Sequence, residues 1–164
     1  MRMVNIKNHI NAFQVMWIDR ILKNDSSQIL QLFEHTITPI SNLCKLGSNF
    51  VKKLIKTTHN QFWREVFISW LNFLQKESVY NHKSQLMTST LWFNPEISTT
   101  ELFFSNWYSH GIIYVADIVG NDGTILSQLA LEKLYNFKIN FLHYYRIKYL
   151  LKHFLKNINL LKVI

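Results

Sequence analysis

The chain has 164 residues, 48% hydrophobic and 15% aromatic but only 17% charged, which is enough apolar material for a core at this length. A net charge of +8 and a pI near 9.6 favour an anionic partner, nucleic acid first among them. The single cysteine, Cys44, excludes an internal disulfide framework and a Cys-x-x-Cys zinc site and fits a reducing, intracellular compartment, cytoplasm or nucleus.

The stretch up to Phe13 is too polar for a signal-peptide core, and no apolar run approaches the ~18–20 residues of a membrane span, so a soluble protein without membrane contact is expected. Ile10, Phe13, Trp17 and Ile21 share one helical face and Val15, Ile18 and Leu22 a second. That pattern predicts a first helix buried from two sides, with a neighbour missing from this chain. Asn24-Asp25-Ser26 closes it and can cap a second helix carrying Ile29, Leu30 and Phe33, which Thr38-Pro39 stops. Asn49 is placed to cap a short helix with Phe50, Leu54 and Ile55 inward and Lys52, Lys53 and Lys56 outward. Asn60 is placed to cap a stronger one, in which Phe62, Trp63, Val66, Phe67, Trp70, Leu71 and Leu74 recur at i, i+3/i+4. Residues 76–90 are polar and aperiodic and read as a linker between helical halves at 1–75 and 91–164.

The second half opens with Asn94-Pro95, which breaks regular structure. Ser98 and Glu101 have the form of a capping box ahead of Phe103, Phe104 and Trp107, so a short helix is expected there. Gly111 is placed to end it in the left-handed conformation. Ile112, Val115 and Ile118 then repeat at helical spacing until Asn121-Asp122-Gly123 forces a turn. Thr124-Ile125-Leu126 reads as extended and Ser127 as the cap of the next helix; Leu86-Met87-Thr88 is the only other extended candidate. The expected fold is therefore all-α, an irregular array of about six to eight helices with at most a minor β hairpin.

From Lys133 onward there are seven Lys or Arg residues and no acid. With Asn140 as cap, a helix to about Leu155 buries Ile147, Leu150, Leu151 and Phe154. Lys148, Lys152 and Lys156 then stack at i, i+4, i+8 on another face, beside Tyr145 and Tyr149 and with Arg146 nearby. Lysines spaced along phosphates, with aromatic rings free to stack on unpaired bases, are what a sequence-tolerant single-strand binding surface needs. The competing reading is the solvated face of an amphipathic helix.

Leu91-Trp92-Phe93-Asn94, Trp107 followed by Gly111-Ile112, Asp117-Ile118, Asp122-Gly123 and Leu126-Ser127 together resemble the segment beyond the polymerase core of LINE-type (non-LTR) retrotransposon reverse transcriptases. Asn11-Ala12-Phe13 with Trp17-Ile18 and Arg20, and Phe62-Trp63 with Val66 and Trp70, are similar to the helices that follow that domain. Tyr135 and the run from Asn140 to Tyr145 continue the likeness, which spans roughly Asn8 to Leu151. The family's polymerase centre uses adjacent aspartates that hold metal ions, and this chain has no two adjacent acidic residues. Its endonuclease motifs are missing as well. The resemblance therefore implies a non-catalytic piece of an RNA-directed DNA polymerase that binds template RNA or target DNA, with the remainder of a retroelement polyprotein as a further partner.

Other constellations carry less. The seven histidines lack i, i+4 pairing and companion cysteines, so no metal site and no cofactor is expected. Ser109, His110 and Asp117 supply the residue types of a triad without a turn that presents the serine, so no catalytic residue is expected. Trp92 and Trp107 read as core, and Cys44 as buried or half-buried. A reading from a different class stands beside nucleic-acid binding: a helical protein–protein interaction module whose charge serves only solubility.

Overall fold

The computed structural model describes residues 6–23, 28–77 and 87–157. The fold is all-α. The helices that lie wholly among the described residues are, in chain order, α1 (Ile6–Lys23), α2 (Gln28–Thr36), α3 (Asn42–Lys45), α4 (Ser48–Thr57), α5 (Gln61–Glu77), α6 (Ser105–Ser109), α7 (Gln128–Tyr135) and α8 (Phe141–Asn157), with a 3-10 turn at Val115–Asp117. Among the described residues, β pairing is limited to isolated bridges, Thr90 to Tyr114 and Val119 to Ile125, and no helix is long and apolar enough to cross a membrane. The chain divides into two compact units, residues 1–79 and 80–164.

In the first unit, α5 packs on both α1 and α4. Its start is fixed by Asn60, whose Oδ1 accepts the Trp63 N–H at 3.2 Å. Val66 and Phe67 of α5 meet Ile18 and Ile21 of α1, Phe33 of α2, Leu43 of α3 and Val51 of α4 in one core. Aromatic rings interlock there at angles that suit their quadrupoles, Phe33 lying 4.9 Å from Trp63 and 6.1 Å from Phe67. Two expectations are corrected here. α4 starts after Gly47 rather than at an Asn49 cap. α1 is buried along one stripe only: Ile18 is fully buried, while Ile10 and Phe13 are 52% and 56% exposed, because α5 covers a single side of the helix. The Asn24-Asp25-Ser26 boundary and most of the proposed linker lie outside the described residues.

The second unit is built around Trp92, fully buried, whose indole N–H donates to the Ile112 carbonyl at 2.7 Å. Phe103, Phe104 and Trp107 surround it with ring centroids 5.7–6.3 Å away. The capping box at Ser98 and Glu101 does not form: residues 98–104 are non-helical, Ser98 meets the Thr100 hydroxyl at 3.2 Å, and α6 begins only at Ser105. The reason is non-local, since the Phe93 N–H bonds the Leu102 carbonyl at 3.2 Å and ties this stretch back to the chain before it. Nor do residues 112–118 form a helix. Their backbone pairs elsewhere, Leu91 N–H with the Ile113 carbonyl (2.8 Å) and Val115 N–H with that of Ser89 (3.0 Å), leaving one 3-10 turn. Ile112, Val115 and Ile118 are nonetheless fully buried. Met87 is helical and Thr88 lies in a turn, not in a strand, and Leu86 lies outside the described residues.

Gly111 ends α6 as expected, with φ +89°. Its N–H bonds the Tyr108 carbonyl and the Ile112 N–H that of Trp107, both at 3.1 Å, the paired closure of a Schellman motif. Asp122 accepts the Thr124 N–H at 2.9 Å and Gly123 sits at φ +81°, which turns the chain so that Ile125 bridges back to Val119. Ser127 then caps α7 by accepting from the Ala130 N–H at 3.2 Å.

Candidate nucleic-acid interface

The presentation of α8 is decided by the turn before it. Asn136 leaves α7 in the left-handed conformation. The Glu132 carboxylate then accepts the Ile139 N–H at 2.9 Å, and the Gln128 amide donates to the Ile139 carbonyl at 3.0 Å. Lys138 adds an ion pair to Glu132 at 3.6 Å. The Ile139 N–H is the chief reason that the Glu132 carboxyl titrates below the ordinary carboxylate range. With the turn clamped, Asn140 Oδ1 accepts from the N–H groups of Leu142 (2.9 Å) and His143 (3.3 Å) and opens α8.

Rotation about the helix axis is set by its inner face. Tyr144, Ile147, Leu151, Phe154 and Leu155 are buried, and the Tyr144 hydroxyl donates to the Leu126 carbonyl at 3.1 Å. Leu150, expected inside, is only half-buried. Lys148, Lys152 and Lys156 are therefore turned outward, and Tyr145 and Tyr149 beside them are 49% and 64% exposed. The Lys148 ammonium sits 5.6 Å from the Tyr144 ring centroid and 5.9 Å from that of Tyr145, within cation–π range. Arg146 is exposed but lies off this stripe, where its guanidinium donates to the Thr100 hydroxyl at 3.4 Å. Among the described residues, none of these four cations is in ion-pairing distance of a carboxylate. Two further rings, not expected as binding residues, adjoin the tyrosines: Phe141, 59% exposed with its ring 4.3 Å from Tyr145, and His153, whose ring is 4.5 Å from Tyr149. Their i, i+4 relation to the two tyrosines was the available signal.

The remaining candidates are structural. Trp107 and Trp92 are core. Ser109 Oγ donates to the Asn106 carbonyl at 2.9 Å and lies 3.4 Å from His110 Nδ1, which is itself 2.7 Å from that carbonyl, while the Asp117 carboxylate accepts from the N–H groups of Ile113 (2.7 Å) and Tyr114 (2.6 Å), so the three are not brought into one relay. Cys44, expected to be at least half-buried, is exposed on α3. Comparison with protein-family models, with curated proteins and with solved structures finds no match to this chain.

Proposed function

We propose that the protein binds single-stranded nucleic acid, RNA or DNA, through the outer face of α8, without reading a defined sequence and without itself catalysing a reaction. One observation carries the reading: Tyr145 and Tyr149 stand exposed beside Lys148, Lys152 and Lys156, and no carboxylate among the described residues is close enough to neutralise those lysines. Lysines four residues apart repel one another slightly on an isolated helix. A row of phosphates relieves that repulsion and releases counterions, while exposed rings supply about 1–3 kcal/mol per stacked base. The resemblance to the region downstream of the polymerase in non-LTR retrotransposon reverse transcriptases points to the same ligand, template RNA or target DNA, inside a cell.

Two variants test this in opposite ways. Replacing Lys148, Lys152 and Lys156 with glutamine should weaken binding to an unpaired oligonucleotide and lower the salt slope by roughly 0.7 per lost phosphate contact, leaving the helical signal unchanged. Replacing Tyr145 and Tyr149 with alanine should lower affinity and leave the slope nearly as it was, because stacking releases no counterions. Absence of binding by the wild-type chain at low salt removes the proposal. The alternative, a helical module that packs on another protein, predicts association that salt hardly changes.

A further inference from the structure

Apart from His143, whose ring stacks on Phe104, the exposed aromatic residues of α8 fall into two pairs rather than a continuous row. Phe141 and Tyr145 are in contact at the start of the helix, centroids 4.3 Å apart and ring planes 46° to each other. Tyr149 and His153 are in contact further along, at 4.5 Å and 61°. Each pair is one helical turn in length, and corresponding rings of the two pairs are eight residues apart, about 12 Å at the α-helical rise of ~1.5 Å per residue. All four side chains are exposed. Lys148 lies between the pairs in sequence, Lys152 between the two members of the second pair, and Lys156 follows that pair.

Resting on the nucleic-acid reading above, we infer that α8 carries two separate base-stacking platforms, Phe141 with Tyr145 and Tyr149 with His153, which a single strand must bridge to bind at full strength. Two rings inclined to one another offer one base a face and an edge at once. Lys148 meets a phosphate between the platforms, and Lys152 and Lys156 meet those that pass along and beyond the second. Stacked nucleotides advance about 3.4 Å along a strand, so the spacing of about 12 Å between corresponding rings is spanned by roughly four of them, fewer where the strand is stretched or reaches only the inner rings Tyr145 and Tyr149, about 6 Å apart along the axis. A strand that reaches both platforms converts the second contact into an intramolecular one, so affinity rises in a step with length. A surface that works by charge alone strengthens smoothly, phosphate by phosphate. Phe141 and His153 become binding residues on the same footing as the two tyrosines.

The test is fluorescence anisotropy of the full chain with end-labelled oligouridylates from about two to about ten nucleotides, at low salt. The expected result is a step in affinity near about four nucleotides, of at least about fivefold for the second stacked base. The step disappears in Phe141→Ala/Tyr145→Ala and equally in Tyr149→Ala/His153→Ala, while circular dichroism shows the helix content of the wild type. A smooth rise with length, or a Phe141→Ala/His153→Ala variant that binds every length as tightly as wild type, overturns the two-platform inference. In that outcome, loss of binding on substituting the three lysines still upholds the nucleic-acid reading. No binding of any length by the wild-type chain overturns both.

Discussion

At Gly111 the backbone stands at φ +89°, and a Cβ built there meets nothing within 4 Å. Substitution is therefore opposed by backbone conformation alone and not by crowding. The left-handed region costs an ordinary L-residue roughly 1–2 kcal/mol, asparagine less, and a β-branched residue most. Gly111→Asn should accordingly be nearly neutral, Gly111→Ala should lose about 1 kcal/mol and Gly111→Val more, ranked by urea unfolding midpoints. Equal stability of the alanine and glycine forms would show that the closure of α6 does not depend on this conformation. Phe93 makes a useful contrast, because it holds φ +54° with a side chain in place. Its ring is buried 5.2 Å from that of Phe103, and burial offsets a backbone strain of order 1–3 kcal/mol.

Among the elements, the turn from α7 into α8 has the clearest titratable dependence. Glu132 holds the Ile139 N–H and Lys138, and its folded-state pKa is depressed, chiefly by that N–H. A depressed carboxyl contributes stability above its unfolded pKa of about 4.3, and the contribution is lost as pH falls through the lower folded value. Glu132→Gln should thus be less stable than wild type near neutrality, with the two unfolding curves converging as pH is lowered from about 5 to about 3. A constant difference across that range would show that Glu132 acts through packing rather than charge. Such local devices are what the sequence makes legible. Asn60, Ser127, Asn140 and Gly111 act within a few residues of themselves, and each begins or ends its helix where the pattern places it. The inner face of α8 was readable on the same terms, and the outward turn of its tyrosines and lysines follows from it. Residues 98–104 and 112–118 were misread because their backbone partners, Phe93 for Leu102 and Ser89 and Leu91 for residues 113–115, come from elsewhere in the unit. Helical spacing there identified what is buried and not the geometry that buries it. The stack of His143 on Phe104, 3.8 Å apart, and the diversion of Arg146 to Thr100 likewise need two separate segments and leave no periodic trace.

For the molecule as a whole, the net charge is concentrated at the C-terminal end, while apolar side chains are exposed along the chain, on α1 as well as on α8. Seven of the basic residues and none of the acidic ones follow Glu132, so the rest of the chain is nearly neutral. In that neutral part, Ile6, Ile10 and Phe13 align on one face of α1, 72%, 52% and 56% exposed, with Met16 and Leu22 also uncovered. Little net repulsion opposes association through such a face, and contiguous apolar surface of this kind promotes it. Of the second apolar face of α1, Val15, Ile18 and Leu22, Leu22 is exposed and Val15 half-buried, whereas Ile18 is sealed in the first unit's core. The full chain should therefore bind an apolar dye and self-associate in concentration-dependent sedimentation. Ile10→Gln/Phe13→Gln should reduce both with little loss of stability, whereas Ile18→Ala should cost about 2–5 kcal/mol and leave association in place in whatever fraction stays folded. Raising salt separates this behaviour from nucleic-acid binding: apolar association persists as ions are added, while a strand held on α8 is released. A monodisperse monomer with no dye-accessible patch would show that α1 contributes no adhesive surface.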